Sequence, residues 1–439
     1  MNRGLIPVAA AFLLSMSPGL ARAQAAPNVP VLANGQLPPT VPGEDVALAN
    51  VIRGSITVGT HYDDNVGINT VSGNRQWDLG YGVSPQIELL ETRPRVDWGL
   101  IYAPGFTISQ NLTYRNQFTQ DFSGHLTWRA TEHSAITAQQ GYIRTNDPFQ
   151  QTASSPGLIG GPNQTIFIPN LLRTTLSSNV LYSNQFSEHS SFGMGGSFHT
   201  VHIDTTPHSG PTQSLIYSQI ISGHAYVSHQ LSARNELGFQ YTGQVLRFPG
   251  ADARTTTHSF LIFEDFKPSA NTTLSIYGGP EYSLTANEVV ANLGFIVLTI
   301  PVKSNQWHSA GGVIYNWTGQ RMAVTLDYTR RISDGGGLVG AVKLNSGTAH
   351  ISWNLTKRLN LISTLSAADD QLLAAQTGRD ELLTYSAEVG FSQQLSKNLS
   401  LNLSYERLNE TGALGAFPVR NHDLAQASIT YSFLKPLGR

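Results

Sequence analysis

The sequence predicts an all-β fold, a transmembrane antiparallel β-barrel of about 18 strands with 16 as the alternative count, joined by short periplasmic turns and long extracellular loops. Alternating apolar and polar stretches recur along most of the chain, separated by brief polar turns. They follow a leader of secretory type. Only 13% of residues are charged, against about 25% in an ordinary soluble domain, so water is not the main outer solvent.

The leader comes first. Arg3 gives a basic start, Leu5 to Met16 is mostly apolar, and Ala21-Arg22-Ala23 before Gln24 fits a small-x-small cleavage site. Residues 1–23 therefore read as a cleaved signal peptide, too short to span a bilayer. The absence of cysteine excludes a lipid anchor at the cleavage site, disulfides and thiolate metal sites. Residues 24–50 carry Pro27, Pro30, Pro38, Pro39 and Pro42 and read as an extended periplasmic linker, too short for a folded plug domain. Residues 51–439 are left for the barrel.

Alternation is clearest near the end, where Leu399, Leu401, Leu403 and Tyr405 alternate with Ser400, Asn402, Ser404 and Glu406. Successive strand side chains point to opposite faces, so one face is apolar and the other polar. A barrel turns the first to lipid and the second to its lumen. Leu401 is expected near the middle of the span.

Short turns are predicted at Arg93-Pro94, Glu132-His133, Glu188-His189, Ala233-Arg234, Ser269-Ala270, Gly319-Gln320, Lys357-Arg358 and Lys397-Asn398. Each joins two strands. A first strand near Arg53 to Tyr62 and a last near Asp423 to Phe433 complete an even number with both termini at one rim. The longer connections are Asp63 to Trp77, Pro104 to Tyr114, Asn146 to Leu171, Asp204 to Gln213, Phe248 to Ala253, Thr285 to Pro301, Ser333 to Val339, Asp369 to Asp380 and Asn409 to Arg420. They are rich in Gly, Pro, Asn and Asp, as exposed loops are.

Trp98, Trp128, Trp317 and Trp353 each fall close to a short turn, where an interfacial aromatic belt would place them. Tyr431 and Phe433 end the last strand at alternating positions and resemble the C-terminal signal read by the barrel assembly machinery. Turning the apolar halves outward leaves an inward set: Arg95, Asp97, His125, Arg129, Arg173, His224, Glu236, Gln240, Glu281, Asp327, His350, Glu388, Asn402 and Glu406. Both signs of charge occur, which gives no case for anion or cation selectivity. The near-neutral net charge of −2 gives no reason to expect nucleic acid as a partner. The expected partners are outer-membrane lipid and lipopolysaccharide.

No catalytic, cofactor-binding or metal site is expected. The two Glu-His-Ser triplets, Glu132 to Ser134 and Glu188 to Ser190, fall in turns where adjacent side chains diverge. His199 and His202 are three apart in a strand and point to opposite faces. The triplet Asp63, Asp64, Asn65 reads as a turn; a calcium site would need several further ligands.

One stretch departs from the polar character of the loops. Val289 to Ile300 is almost entirely apolar within the predicted loop Thr285 to Pro301 and should be buried. It can do so as a constriction in the lumen, as a partner contact, or by extending the flanking strands.

The run Gly59, Thr60, His61, Tyr62, Asp63, Asp64, Asn65, Val66, behind a Pro-rich export linker, resembles the outer-membrane porin group called beta-barrel porin 2. The resemblance implies a pore in the Gram-negative outer membrane and suggests a route for surface polysaccharide, with polysaccharide-export components as partners. It supplies no site residues. A general diffusion porin for small solutes and a closed structural barrel are the alternatives. An enzyme is not expected, because no nucleophile, base and orienter converge on one rim.

Overall fold

The computed structural model describes residues 50–65, 77–112, 116–145, 172–204, 217–249, 253–292, 297–334, 336, 340–373, 381–412 and 420–436. The leader, the linker up to residue 49 and the loop Asn146 to Leu171 lie outside them. The described chain forms eighteen strands. The first six are β1 (Asn50–Asp63), β2 (Asp78–Thr92), β3 (Val96–Ser109), β4 (Gln117–Arg129), β5 (Ser134–Thr145) and β6 (Leu172–Gln185). Next come β7 (Ser190–Asp204), β8 (Ser218–Ser232), β9 (Asn235–Phe248), β10 (Ala253–Ser269), β11 (Thr272–Asn292) and β12 (Val297–Thr318). The last are β13 (Met322–Asp334), β14 (Ala341–Asn354), β15 (Leu359–Leu372), β16 (Glu381–Gln394), β17 (Leu399–Gly412) and β18 (Arg420–Pro436).

Each strand pairs antiparallel with its chain neighbours, and β18 returns to β1 from Val51↔Pro436 to Asp63↔Leu424, which closes the sheet. All eight predicted turns fall between strands, and the count is eighteen rather than sixteen. Two predicted loops are corrected. Pro104 to Ser109 belongs to β3, and most of Thr285 to Pro301 belongs to β11 and β12. Pro104 was misleading because its missing N–H ordinarily ends a strand. Here the register sets Pro104 opposite Pro85, and ladder pairs are absent only between Val83/Phe106 and Ile87/Tyr102. The Ser84 hydroxyl donates to the Pro104 carbonyl at 3.1 Å within that gap. The apolar run extends β11 and β12, with Val289 opposite Ile300 and Ala291 opposite Leu298. Strand extension is therefore the arrangement found, and residues 293–296 lie outside the described chain.

The alternation decides the two faces. Ile56, Val58 and Tyr62 of β1 share the outer face with Val83, Ile87, Leu100, Tyr102 and Phe106, and all are exposed, as the convex side of a closed sheet must be. On β17, Leu399, Leu401, Leu403 and Tyr405 face outward with Tyr431 and Ile429 of β18. Leu401 stands only two residues from the start of β17, near the short-turn end and not in the middle of the span.

The β1–β18 closure is fastened at its long-loop end. The Asp63 carboxylate accepts from Asn65 N–H at 3.1 Å, so the polar triplet forms an Asx turn. Asp64 N–H donates to the Asp423 carbonyl at 3.1 Å, and Asp423 N–H donates to the Asp64 carboxylate at 2.8 Å. The Asn65 amide reaches the Asn421 carbonyl at 2.6 Å, His422 Nδ1 reaches the Asn65 carbonyl at 3.1 Å, and His422 Nε2 lies 3.2 Å from Asp63.

Candidate functional site: the barrel interior

The inner face divides into a filled half and a small-residue half. On the filled side, the inward positions of β6, β8, β10, β11 and β12 carry Leu181, Tyr226, Leu261, Phe263, Tyr277, Ala310 and Ile314, which pack into one buried cluster. The sequence foretold a polar inner face and missed this. Its signal was the unbroken apolar run Phe260-Leu261-Ile262-Phe263, the mark of a strand covered on both faces.

The filling continues upward through β13. The β12–β13 ladder runs only from Ala323↔Thr318 to Arg330↔Gly311, whereas β11–β12 continues to Asn292↔Val297. Beyond Arg330, β13 leaves the wall and crosses the interior. Ile332 N–H donates to the inward Glu281 carboxylate of β11 at 3.1 Å, and the Gln244 side chain of β9 donates to the Ile332 carbonyl at 3.3 Å. The Ser218 hydroxyl of β8 donates to Asp334 at 2.6 Å across 116 residues of sequence. The Ile332 side chain packs with Ile220, Leu246, Phe248, Ala253 and Ala341. β13 stays paired with β14 to Asp334↔Ala341, and β14 with β15 to Val342↔Leu372, so this edge of the sheet turns inward together. Its polar face is compensated: Arg331 lies within electrostatic reach of Asp327, Asp334 and Glu281, and Arg173 of Asp334.

The other half is lined by small residues. Register aligns Ser428, Gly59, Gly82, Thr107 and Gln117 in one inward row, with Thr430, Thr57 and Ser84 in the next. Thr57 and Thr430 share a hydroxyl hydrogen bond at 2.9 Å. A cavity of about 220 Å³ lies against this wall, bordered also by His61, Ser109, Thr119 and Gln426. A Cβ on Gly82 would meet only Phe106 O at 3.5 Å and Thr107 Oγ1 at 3.8 Å, so a side chain there has room.

The inward set from the sequence is distributed as follows. Asp97 and His125 face each other on β3 and β4 at 3.7 Å near the short-turn rim. Arg129 ends β4, with its guanidinium on the Pro94 carbonyl at 3.3 Å. Arg95 is the exception: it lies in the β2–β3 turn, exposed, because the strand begins one residue later. Arg173, Glu281 and Asp327 belong to the filled half, with Glu236, His224 and Gln240 beside them on β8 and β9. His350 bonds Thr364 at 3.2 Å, and its row continues through Glu388, directly opposite Glu406. Asn402 accepts from Ser392 at 2.7 Å and donates to Thr430 at 3.1 Å. The inward pair Arg53–Glu88 at 3.0 Å was not singled out in the sequence, nor were Arg331, Ile332 and Asp334.

Trp98, Trp128, Trp317 and Trp353 stand one or two residues from the short-turn ends of their strands, on the outer face with Tyr431 and Phe433. Trp98 Nε1 donates to Glu91 at 2.9 Å. The Glu-His-Ser triplets border the β4–β5 and β6–β7 turns at that rim, and Ser190 bonds His229 at 2.8 Å rather than its neighbour.

The described part of the apolar run is paired as a continuation of β11 and β12, which favours strand extension over a constriction. Deleting Val290 to Leu298 should leave single-channel conductance unchanged in a folded barrel; a rise would show that this ribbon narrows the lumen.

No family model and no curated protein matches the chain. Among solved structures it is similar to the Escherichia coli K12 ferric-catecholate import receptor Fiu in its open form, with TM-score 0.43, 8% identity, and coverage of 90% of this chain and 82% of that one. It is also similar to Pseudomonas aeruginosa OpdQ, with TM-score 0.42, 12% identity, and coverage of 88% and 98%. For Pseudomonas aeruginosa OpdO the TM-score is 0.42, the identity 10%, and the coverage 88% and 97%. The barrel itself rests on the strand register.

Proposed function

We propose that the protein is a pore of the Gram-negative outer membrane, a diffusion channel for small polar solutes. The observation that carries this is a closed barrel, apolar outside, whose interior is filled on one side and lined by Gly, Ser and Thr around a cavity on the other. The conduit follows the small-residue wall of β18, β1, β2, β3 and β4. Hydroxyl and amide groups there offer hydrogen bonds, and the inward Arg53 and Glu88 of the same wall neutralise each other at 3.0 Å, which suits uncharged polar solutes. The leader, the outward aromatics at the short-turn rim and the aromatic end of β18 support export and assembly into that membrane.

A polysaccharide route is not favoured by the interior. The hairpin tip of β13 and β14 takes up lumen width that a polymer would need.

Conductance in a planar bilayer tests the reading, and silence from a heat-modifiable, correctly folded barrel would overturn it. Gly82→Tyr places a ring in the cavity without a backbone clash and should lower single-channel conductance about twofold, whereas Gly82→Ala should leave it near the parent value. Equal conductance of parent and Gly82→Tyr would move the conduit elsewhere.

A further inference from the structure

At the long-loop end of β9 and β10, and alongside it on β11 and β12 before these two strands run on to Asn292 and Val297, register sets Arg247 opposite Arg254, Arg254 opposite Ala286, and Ala286 opposite Lys303. The three cations are exposed and lie on the outer face, since Leu246, Phe248, Ala253 and Thr255 beside them are buried inside. No carboxylate shares the row, and none of the three has an ion-pair partner among the described residues. Arg247 and Arg254 occupy directly opposed positions, about 5 Å apart at Cβ, where like charges destabilise a sheet. An anion shared between them removes that repulsion, and a guanidinium is suited to a phosphate.

The rows beneath indicate what kind of molecule carries the anion. Two residues below lie Val245, Thr256, Leu284 and Asn305; two further down lie Gly243, His258, Tyr282 and Trp307. The Tyr282 and Trp307 rings meet at 5.1 Å, and Trp307 is 66% exposed. One row lower, Tyr241 and Phe260 meet at 5.1 Å above the apolar Phe239 and Ile262. Along the outer wall the surface thus passes from apolar to aromatic to cationic, the last step covering about 13 Å of strand. An amphiphile standing in the outer leaflet presents the matching order of acyl chains, interface and charged headgroup. Free phosphate would use only the top row.

We propose that Arg247, Arg254 and Lys303 form a docking site for the phosphate-bearing headgroup of an outer-leaflet glycolipid, whose acyl chains lie along Trp307, Tyr282 and the apolar wall below. The site rests on the outer-membrane reading above. It gives the filled side of the barrel a fixed lipid neighbour, while the small-residue wall carries solute.

The test uses the folded full-length barrel in neutral detergent, with native mass spectrometry and Trp fluorescence to follow binding of diphosphoryl lipid A, its dephosphorylated form and inorganic phosphate. The triple variant Arg247→Gln, Arg254→Gln, Lys303→Gln should weaken lipid A binding about a hundredfold, because each surface cation contributes separately to anionic-lipid affinity. Arg407→Gln, which removes an outward cation already paired with Asp423 at 3.6 Å, should not change it. Equal binding by parent and triple variant, or by phosphorylated and dephosphorylated lipid, overturns the site. Displacement of lipid A by inorganic phosphate at equal concentration overturns it as well, since it reveals a free-anion site. Conductance and heat-modifiable mobility are measured on the same preparations. A non-conducting parent that still retains lipid A rejects the pore and keeps the docking site, and a conducting parent that fails to bind lipid A does the reverse.

Discussion

Val58→Arg should abolish or strongly impair barrel assembly, while Thr57→Arg, one residue away, should assemble and conduct less. Val58 lies in the middle of β1, on the outer face between Ile429 and Val83, and is 57% exposed to the surrounding solvent. If that solvent is lipid, an arginine near the bilayer midplane costs about 2 to 4 kcal/mol, a large fraction of a domain's stability. Thr57 points the other way, into the cavity beside Thr430 and Ser84, where an arginine head meets water and occupies the conduit. Loss of the unboiled, fast-migrating band in gel electrophoresis measures the first effect, and planar-bilayer conductance the second. Indistinguishable folding of the two variants would mean that the face assignment of β1 is wrong, since a single-residue slip exchanges the two faces.

Ile332→Asp should raise single-channel conductance about twofold or more without loss of the barrel. The hairpin tip is held by burial of Ile332, about 1.5 to 3 kcal/mol, with Ala341 beside it, by hydrogen bonds worth about 1 kcal/mol each, and by the attraction of Arg331 to Glu281 and of Asp334 to Arg173. Placing a carboxylate among Ile220, Leu246, Phe248 and Ala253 costs at least as much, so the tip should leave the interior rather than bury the charge. The wall does not depend on it. The β12–β13 ladder below Gly311 and the complete β13–β14 ladder remain. Unchanged conductance in a folded Ile332→Asp protein would show that the tip does not restrict flow.

These expectations rest on features of unequal visibility in the sequence. The strand count and the eight turns were legible because they depend on local alternation and turn chemistry, each contained within a few residues. Face direction was legible for the same reason: once Leu399, Leu401 and Leu403 point outward, Asn402 and Glu406 have one direction left. The strand through Pro104 was hidden because its tolerance depends on Pro85, a partner supplied by register and not by neighbourhood. The inward course of β13 was hidden for a stronger reason. Arg330-Arg331-Ile332-Ser333-Asp334 reads as an ordinary strand end, and its contacts Ser218, Gln244 and Glu281 are brought to it only by closure of the whole sheet. Its counterpart, the apolar inner positions Leu246, Phe248 and Leu261, was visible as excess hydrophobicity on strands whose other face was already apolar.

The polar fastening at the long-loop end of β1 and β18 has a bearing on how the molecule completes itself. Short turns set the register of eight of the strand pairs, but β1 and β18 are joined by no connection at all. Asp64 and Asp423 are 359 residues apart, and bringing such distant ends together costs about 4 kcal/mol more in chain entropy than closing a four-residue turn. A two-residue slip would keep the faces, setting the inward Ser55, Thr57 and Gly59 of β1 against the equally small Ser428, Thr430 and Ser432 of β18 in a shifted order, so these side chains alone discriminate weakly between the two pairings. The contacts of Asp63, Asp64 and Asn65 with residues 421–423 exist in one alignment only. They serve the last pair as a turn serves the others: a local marker that distinguishes the finished ring from one shut two residues out of step, the slip that the alternation of faces does not itself forbid.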